Sequence, residues 1–197
     1  EIISFESNID YSGTAYISPI FNAIRNMRVL KISYQDFKSS NAYEVELHPQ
    51  YLKQYNSRWF LISLSDKWED KFSTHALDRI KKVEEIKGNY RELKNFDWDN
   101  YFSDMIGVSR MDVKPVEVKL LILDSEQASY IDTKPLHQTQ KKMKKVENGY
   151  ETSIFVIPNY ELEKLILSFG ERIKVISPTE IADIIKSHIK KMNTLYT

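Results

Sequence analysis

The stretch Tyr43-Glu44-Val45-Glu46-Leu47-His48-Pro49-Gln50-Tyr51-Leu52-Lys53-Gln54-Tyr55-Asn56-Ser57-Arg58-Trp59-Phe60-Leu61-Ile62-Ser63-Leu64 decides the fold. Tyr43, Val45 and Leu47 alternate with Glu44, Glu46 and His48, as a half-buried strand requires, because successive strand side chains point to opposite faces. Tyr51 to Gln54 continues the strand after Pro49. Asn56-Ser57 is a turn signal, and Arg58 to Leu64 reads as a mostly apolar strand. Working outward, Val29, Leu30, Ile32 and Tyr34 start an earlier strand, which ends in the turn Lys38-Ser39-Ser40-Asn41. Roughly Phe72 to Leu77 and Val83 to Ile86 supply two more. Ahead of them, Tyr16, Ile20, Ala23, Ile24 and Met27 recur at three and four, predicting an amphipathic helix with Ser18-Pro19 in its first turn. One helix and five short, regularly spaced strands predict a small antiparallel barrel.

Residues 1–14 read as an entry segment, polar apart from Ile2, Ile3 and Phe5. Residues 88–114 read as a connector that packs on a domain, since Trp98, Tyr101, Phe102 and Met105 predict a short amphipathic helix over Asp97 to Met105. Residues 115–197 read as a second module. Val116 to Ile122 is a strand, and Ser125 to Ile131 a helix capped by Asp124 or Ser125. Gln138 to Val146 is a polar strand, followed by the turn Asn148-Gly149 and a partner strand from Tyr150 to Ile157. Asn159 caps a helix through Phe169 that Gly170 ends. Ile173 to Ile176 is a strand, and Pro178 to roughly Met192 a final helix. The order βαββαβα predicts a ferredoxin-like sandwich with one added helix. The fold class is therefore α+β, with a barrel over residues 15–87.

With 42% hydrophobic residues in 197, the chain can bury a core, which argues against disorder. Lysine plus arginine number 28 and aspartate plus glutamate 28, so the broad basic field of a non-specific nucleic-acid binder is missing. Any such contact has to come from a local cluster. Zero cysteines exclude disulfides, thiolate zinc sites and cysteine nucleophiles, and fit a reducing cytoplasm. No apolar run approaches the ~20 residues that span a bilayer, and no signal-peptide core stands at the N-terminus. His48, His75, His137 and His188 fall in separate elements without metal-ligand spacing, so no metal site is expected. No nucleophile elbow, phosphate loop or dinucleotide fingerprint occurs, and no spaced carboxylate pair stands out. Neither catalysis nor a cofactor is expected.

An ordered series of residues is more specific. Ala23-Ile24, Ile32-Ser33-Tyr34, His48-Pro49 with Leu52, Trp59-Phe60-Leu61 and Leu77-Asp78-Arg79-Ile80 resemble the WYL domain of bacterial regulators, named for a Trp-Tyr-Leu triplet. Here the triplet loses its middle hydroxyl. Pro135-Leu136-His137-Gln138-Thr139-Gln140, Asn159-Tyr160-Glu161-Leu162, Ile166-Leu167-Ser168-Phe169-Gly170 and Val175-Ile176-Ser177-Pro178 resemble that family's C-terminal extension. The resemblance implies an Sm-like barrel in a cytoplasmic, usually homodimeric transcriptional regulator. It also implies promoter binding through an N-terminal winged helix-turn-helix, of which these residues carry no counterpart. The first residue is Glu1 rather than Met, which is compatible with a trimmed fragment.

The resemblance further implies a nucleotide or single-stranded nucleic-acid effector on basic and aromatic residues of the barrel. Those are Tyr34, Lys53, Arg58 and Arg79, with His48, Tyr51 and His75 around them. Arginine offers a planar fork to phosphate oxygens, and tyrosine a stacking face plus a hydroxyl. The plainer alternatives are an Arg79–Asp78 ion pair and a core role for Tyr34. Trp59 and Leu61 read as core. Lys141-Lys142-Met143-Lys144-Lys145 is the densest basic run; on a strand Lys142 and Lys144 share a face. It is either a lysine-guarded edge strand or, with His137, Gln138 and Gln140, a phosphate-tracking rim to the barrel pocket. Two rival functions are a dimerisation or protein-interaction module without a small ligand, and an Sm-like RNA-binding module.

Overall fold

A computed structural model describes residue 2, residues 13–66 and residues 68–197, with the side chains of 68–70 left aside. The expected entry segment therefore lies outside the described residues apart from Ile2, Gly13 and Thr14. The chain divides into two compact units, residues 1–96 and 97–197, each of mixed α/β composition around an antiparallel sheet.

In the first unit a short 3-10 turn, Thr14–Tyr16, leads into α1 (Ile17–Arg25). The strands are β1 (Val29–Tyr34), β2 (Tyr43–Tyr55), β3 (Arg58–Ser65), β4 (Trp68–Ala76) and β5 (Ile80–Ile86), in the sheet order β4-β3-β2-β1-β5. Between β4 and β5 a second 3-10 turn covers Leu77–Arg79. Asn56 and Ser57 both take positive φ, 45° and 62°, the left-handed pair whose twist suits a two-residue hairpin. That turn fixes the pairing Tyr55↔Arg58, Leu52↔Leu61 and His48↔Leu64.

The two expected pieces of the Tyr43 to Gln54 strand are one 13-residue strand with a bulge between Pro49 and Tyr51. Pro49 has no N–H for the ladder, so the register breaks where proline stands. The extra residue also changes which side chains face inward, from Val45 and Leu47 before the bulge to Leu52 after it. Ile20 and Ala23 of α1 cover this inner face, packed with Leu30, Ile32, Leu47, Leu61 and Leu77; all seven are at most 1% exposed. Full burial of one such leucine or isoleucine contributes roughly 1.5–3 kcal/mol. Trp59 packs against this core, as expected for it.

Side chains of β2 strap the following segment, residues 90–93, onto the sheet. Gln50 donates to the Arg91 carbonyl (2.8 Å) and accepts from the Leu93 N–H (3.3 Å), replacing a strand ladder with one amide group. The Tyr90 hydroxyl donates to the Pro49 carbonyl. The Arg91 N–H donates to His48 Nδ1 at 3.3 Å.

The second unit contains α2 (Trp98–Phe102), β6 (Val116–Ile122), α3 (Ser125–Thr133), β7 (Lys144–Val146), β8 (Gly149–Val156), α4 (Tyr160–Leu167), β9 (Ile173–Ser177) and α5 (Thr179–Asn193). Its sheet order is β7-β8-β6-β9, with every pairing antiparallel. Asp97, Asp124 and Asn159 cap α2, α3 and α4 by accepting N–H bonds from the first turn. Two elements are shorter than expected. The Asp97 to Met105 helix ends at Phe102, and the strand expected from Gln138 begins only at Lys144. Here side chains take the place of a regular ladder: Thr139 Oγ1 donates to the Phe155 carbonyl, while Gln138 and Gln140 donate to the carbonyls of Ser103 and Ile131. Among the described residues, no helix is long and apolar enough to cross a membrane.

Candidate functional site

The site is built where β1 ends and the 3-10 turn after β4 begins. Tyr34, the last residue of β1, is 4% exposed and turns its ring edge-on to His75 at 4.8 Å and to Tyr43 at 5.9 Å. Its hydroxyl accepts the Ala76 N–H at 3.3 Å. His75 pairs with Leu61 across β3 and β4, which places its ring on the core face. Arg79 closes the turn, its carbonyl accepting the Gln35 N–H at 3.1 Å, and its guanidinium carbon lies 3.9 Å over the ring of Phe37. Phe37 is held there by Asp36, whose carboxylate accepts the N–H groups of Lys38 and Ser39, both at 2.8 Å.

Gly13 seats the turn from below. It has φ +97°, and a Cβ there would stand 2.4 Å from the Leu77 carbonyl carbon and 2.6 Å from the Asp78 nitrogen. Only glycine tolerates both the conformation and that approach.

The electrostatics of this corner are unusual for a protein interior. Among the described residues, four buried side-chain polar atoms lack a hydrogen-bond partner, and three of them are His75 Nδ1, Asp78 Oδ1 and Arg79 Nε. Each such atom costs about 1–3 kcal/mol of desolvation without recovery. Burial pushes the His75 imidazole down to about 4, so it is neutral at ordinary pH. Burial raises the Tyr34 hydroxyl, and the adjacent Arg79 guanidinium pulls against that rise. The corner thus gathers a cation, a buried hydroxyl and a neutral imidazole, with one unpaired polar atom on each of His75, Asp78 and Arg79.

The remaining sequence-expected residues are placed differently. Arg58 is 53% exposed at its side chain and approaches the Asp78 carboxylate at 3.6 Å, a loose pair beside the corner. Tyr51 and Lys53 pair with Ile62 and Phe60, which puts them on the opposite sheet face from Leu52, Leu61 and His75. His48 belongs to the strap. Its Nδ1 accepts from Arg91, so its proton is on Nε2, which donates to Asp66 Oδ1 at 3.0 Å. That bond, helped by Arg91, holds the Asp66 carboxyl below its ordinary range. The structure brings together Tyr34, His75 and Arg79, sets Arg58 at their margin, and separates His48, Tyr51 and Lys53. As for the plainer alternatives, Arg79 is stacked on Phe37 with Asp78 paired to Arg58, and Tyr34 is packed in the core cluster.

Phe37, Tyr43 and Gly13 were not among the expected site residues. An aromatic in a polar turn and a glycine beside the first helix were the only available signals. In the second unit, Gln138 donates to the Ser103 carbonyl at 2.9 Å, Gln140 to that of Ile131 at 3.1 Å, and His137 Nδ1 meets Thr139 Oγ1 at 2.8 Å. The two glutamines tie the loop to the Ser103 and Ile131 carbonyls, while Lys142 and Lys144 are exposed. Among the described residues, no group of three histidine, aspartate or glutamate side chains is gathered to hold a metal ion.

The chain thus joins a small antiparallel sheet wrapped on one helix, with a basic and aromatic corner, to a second α/β unit later in the sequence. Residues 15–85 match the WYL domain and residues 114–192 the WCX domain, and the chain belongs to the WYL-domain family. Among solved structures, a CRISPR Cas-related protein aligns over 90% of this chain and 51% of its own, at 16% identity and a TM-score of 0.51, a likeness of fold. Proteasome accessory factor B/C (PafBC) of Arthrobacter aurescens aligns over 91% of this chain and 27% of its own, at 14% identity and a TM-score of 0.43. The chain therefore spans about half of the first of these proteins and about a quarter of the second. Comparison with curated protein sequences finds no match.

Proposed function

We propose that this chain is the ligand-sensing regulatory region of a bacterial DNA-binding transcriptional regulator, with a nucleotide-like or single-stranded nucleic-acid effector bound at Tyr34, His75 and Arg79. The observation that carries this reading is the set of unpaired atoms in one corner, His75 Nδ1, Asp78 Oδ1 and Arg79 Nε. Folded proteins rarely leave buried donors and acceptors unmet, and a bound partner that meets them recovers the desolvation cost. Arg79 is the anchor, because a guanidinium keeps its charge and offers a fork to phosphate oxygens. Arg58 is a marginal contributor, since it is exposed and shared with Asp78.

The finer architecture belongs to the same proposal. The order β4-β3-β2-β1-β5 behind an N-terminal helix supports an Sm-like barrel, and β7-β8-β6-β9 supports a ferredoxin-like split βαβ sandwich. We place the chain in a cytoplasmic homodimer that reaches promoter DNA through a separate head. Effector binding regulates such an assembly only if it prefers one arrangement of the parts.

Titration of a short fluorescent oligothymidylate into the wild-type chain and into Arg79→Ala and Arg58→Ala tests the site. Loss of one charge-assisted contact to phosphate weakens binding on the order of tenfold or more for Arg79→Ala. Arg58→Ala reduces it only a few-fold. Unchanged binding by folded Arg79→Ala overturns the assignment.

A further inference from the structure

We infer that Phe37 is the stacking residue of this site and makes it select an anion that carries a planar ring over an anion without one. The inference rests on the effector-binding reading above. Phe37 is 76% exposed, yet it is not a loose side chain. The Asp36 turn fixes its backbone on both sides, and the Arg79 guanidinium covers one face of its ring at 3.9 Å. A large apolar ring left in water by a folded turn gains nothing from its exposed area. Its placement directly on the anchoring cation supplies a use for it.

The covered face orients and partly desolvates Arg79, since a cation over an aromatic ring is held by the ring quadrupole. The uncovered face is open to a flat ring. A ligand that stacks there reaches the guanidinium edge with a phosphate by passing one ring thickness, a span that joins base and phosphate in any nucleotide. Tyr43, 41% exposed and edge-on to Tyr34, adds a second aromatic edge to the same rim. A charge cluster alone would take inorganic phosphate and a nucleotide equally; a cation backed by an exposed ring discriminates between them. Stacking of one base on one aromatic side chain corresponds to roughly a tenfold to hundredfold gain in affinity.

The test compares a short oligothymidylate with an abasic strand of the same length and with the free mononucleotide, on the wild type, Phe37→Ala, Phe37→Trp and Arg79→Ala. The wild type prefers the base-bearing strand and the mononucleotide over the abasic strand. Phe37→Ala narrows the gap between base-bearing and abasic strands by about tenfold or more, abasic binding falling only a few-fold as Arg79 loses its ring, and Phe37→Trp restores the preference. Because the ring is exposed, Phe37→Ala keeps the wild-type melting temperature, so lost preference is not lost fold. A Phe37→Ala chain that still prefers bases, beside an Arg79→Ala chain that binds neither strand, overturns the inference alone. A wild type that binds none of the three probes overturns both the inference and the effector reading. Discrimination by strand length but not by bases also overturns the inference.

Discussion

Two buried histidines on either side of β3 in one small sheet, His48 on β2 and His75 on β4, show opposite treatment of their polar atoms. His48 has both ring nitrogens engaged, by the Arg91 N–H and by the Asp66 carboxylate, and the surrounding Gln50 and Tyr90 groups are paired as well. His75 has an unpaired Nδ1, and its neighbours Asp78 and Arg79 each bury an unpaired atom. The first arrangement is complete as it stands and closes residues 90–93 onto β2. The second leaves three polar atoms without a partner. A satisfied buried network is an element of the fold, and the unsatisfied one is where the proposed function seats its effector. The distinction separates two residues that a composition-based reading of basic and aromatic side chains treats alike.

The comparison can be broken at several points. Removal of the His48 ring takes away two hydrogen bonds and the core contact with Tyr90, so His48→Ala destabilises the first unit by about 4 kcal/mol in chemical denaturation. Oligonucleotide affinity, measured where the variant is folded, stays at the wild-type level. A His48→Ala chain of unchanged stability would remove the basis for calling that region structural.

The pH dependence of stability sharpens the other side. His75 is held at about 4 in the folded chain against 6.5 ordinarily, so between these values the unfolded chain binds more protons. The His75 contribution is therefore fully present above pH 6.5 and is lost as the pH falls to about 4, a difference of roughly 3 kcal/mol. Denaturation midpoints of wild type and His75→Phe converge or cross over this window, the variant showing the flatter profile. Parallel profiles would place the burial of His75 in doubt.

Gly13→Ala is expected to cost about 2 kcal/mol, because the new methyl meets the Leu77 backbone and the positive φ is strained. It shifts the turn that carries Arg79, so oligonucleotide affinity falls with stability, in contrast to His48→Ala. The smallest effect is expected at the rim of the strap. Arg91 is part-exposed and its guanidinium lies 3.5 Å from Asp66, so replacing its side chain by alanine changes stability by less than about 1 kcal/mol in thermal melts.

Much of this arrangement is legible in the residues themselves. The alternation Tyr43-Val45-Leu47, the Asn56-Ser57 turn and the apolar Arg58 to Leu64 run carry the central hairpin, because a period of two and a left-handed turn are local properties. Pro49 stands where the register breaks, but the bulge and the change of inward register before Leu52 depend on pairing. Tyr34, His75 and Arg79 were identifiable as candidates by residue type and resemblance. Their separation from Tyr51 and Lys53 was not, since it follows from strand register across β2 and β3 rather than from proximity in sequence. Phe37 gave no periodic signal, being one aromatic in a polar turn. The Gln138 to Met143 segment misled because a polar run with strand-like alternation has no apolar face to hold it in a ladder. Its glutamines and threonine bond to nearby backbone instead.

The most direct test of the central claim is to observe the two histidines and the arginine side-chain Nε–H groups by heteronuclear NMR while oligothymidylate is titrated into the wild-type chain. The Arg79 Nε–H and His75 ring resonances should move with saturation, and those of His48 should stay where they are. Movement at His48 with silence at Arg79 and His75 would contradict the account.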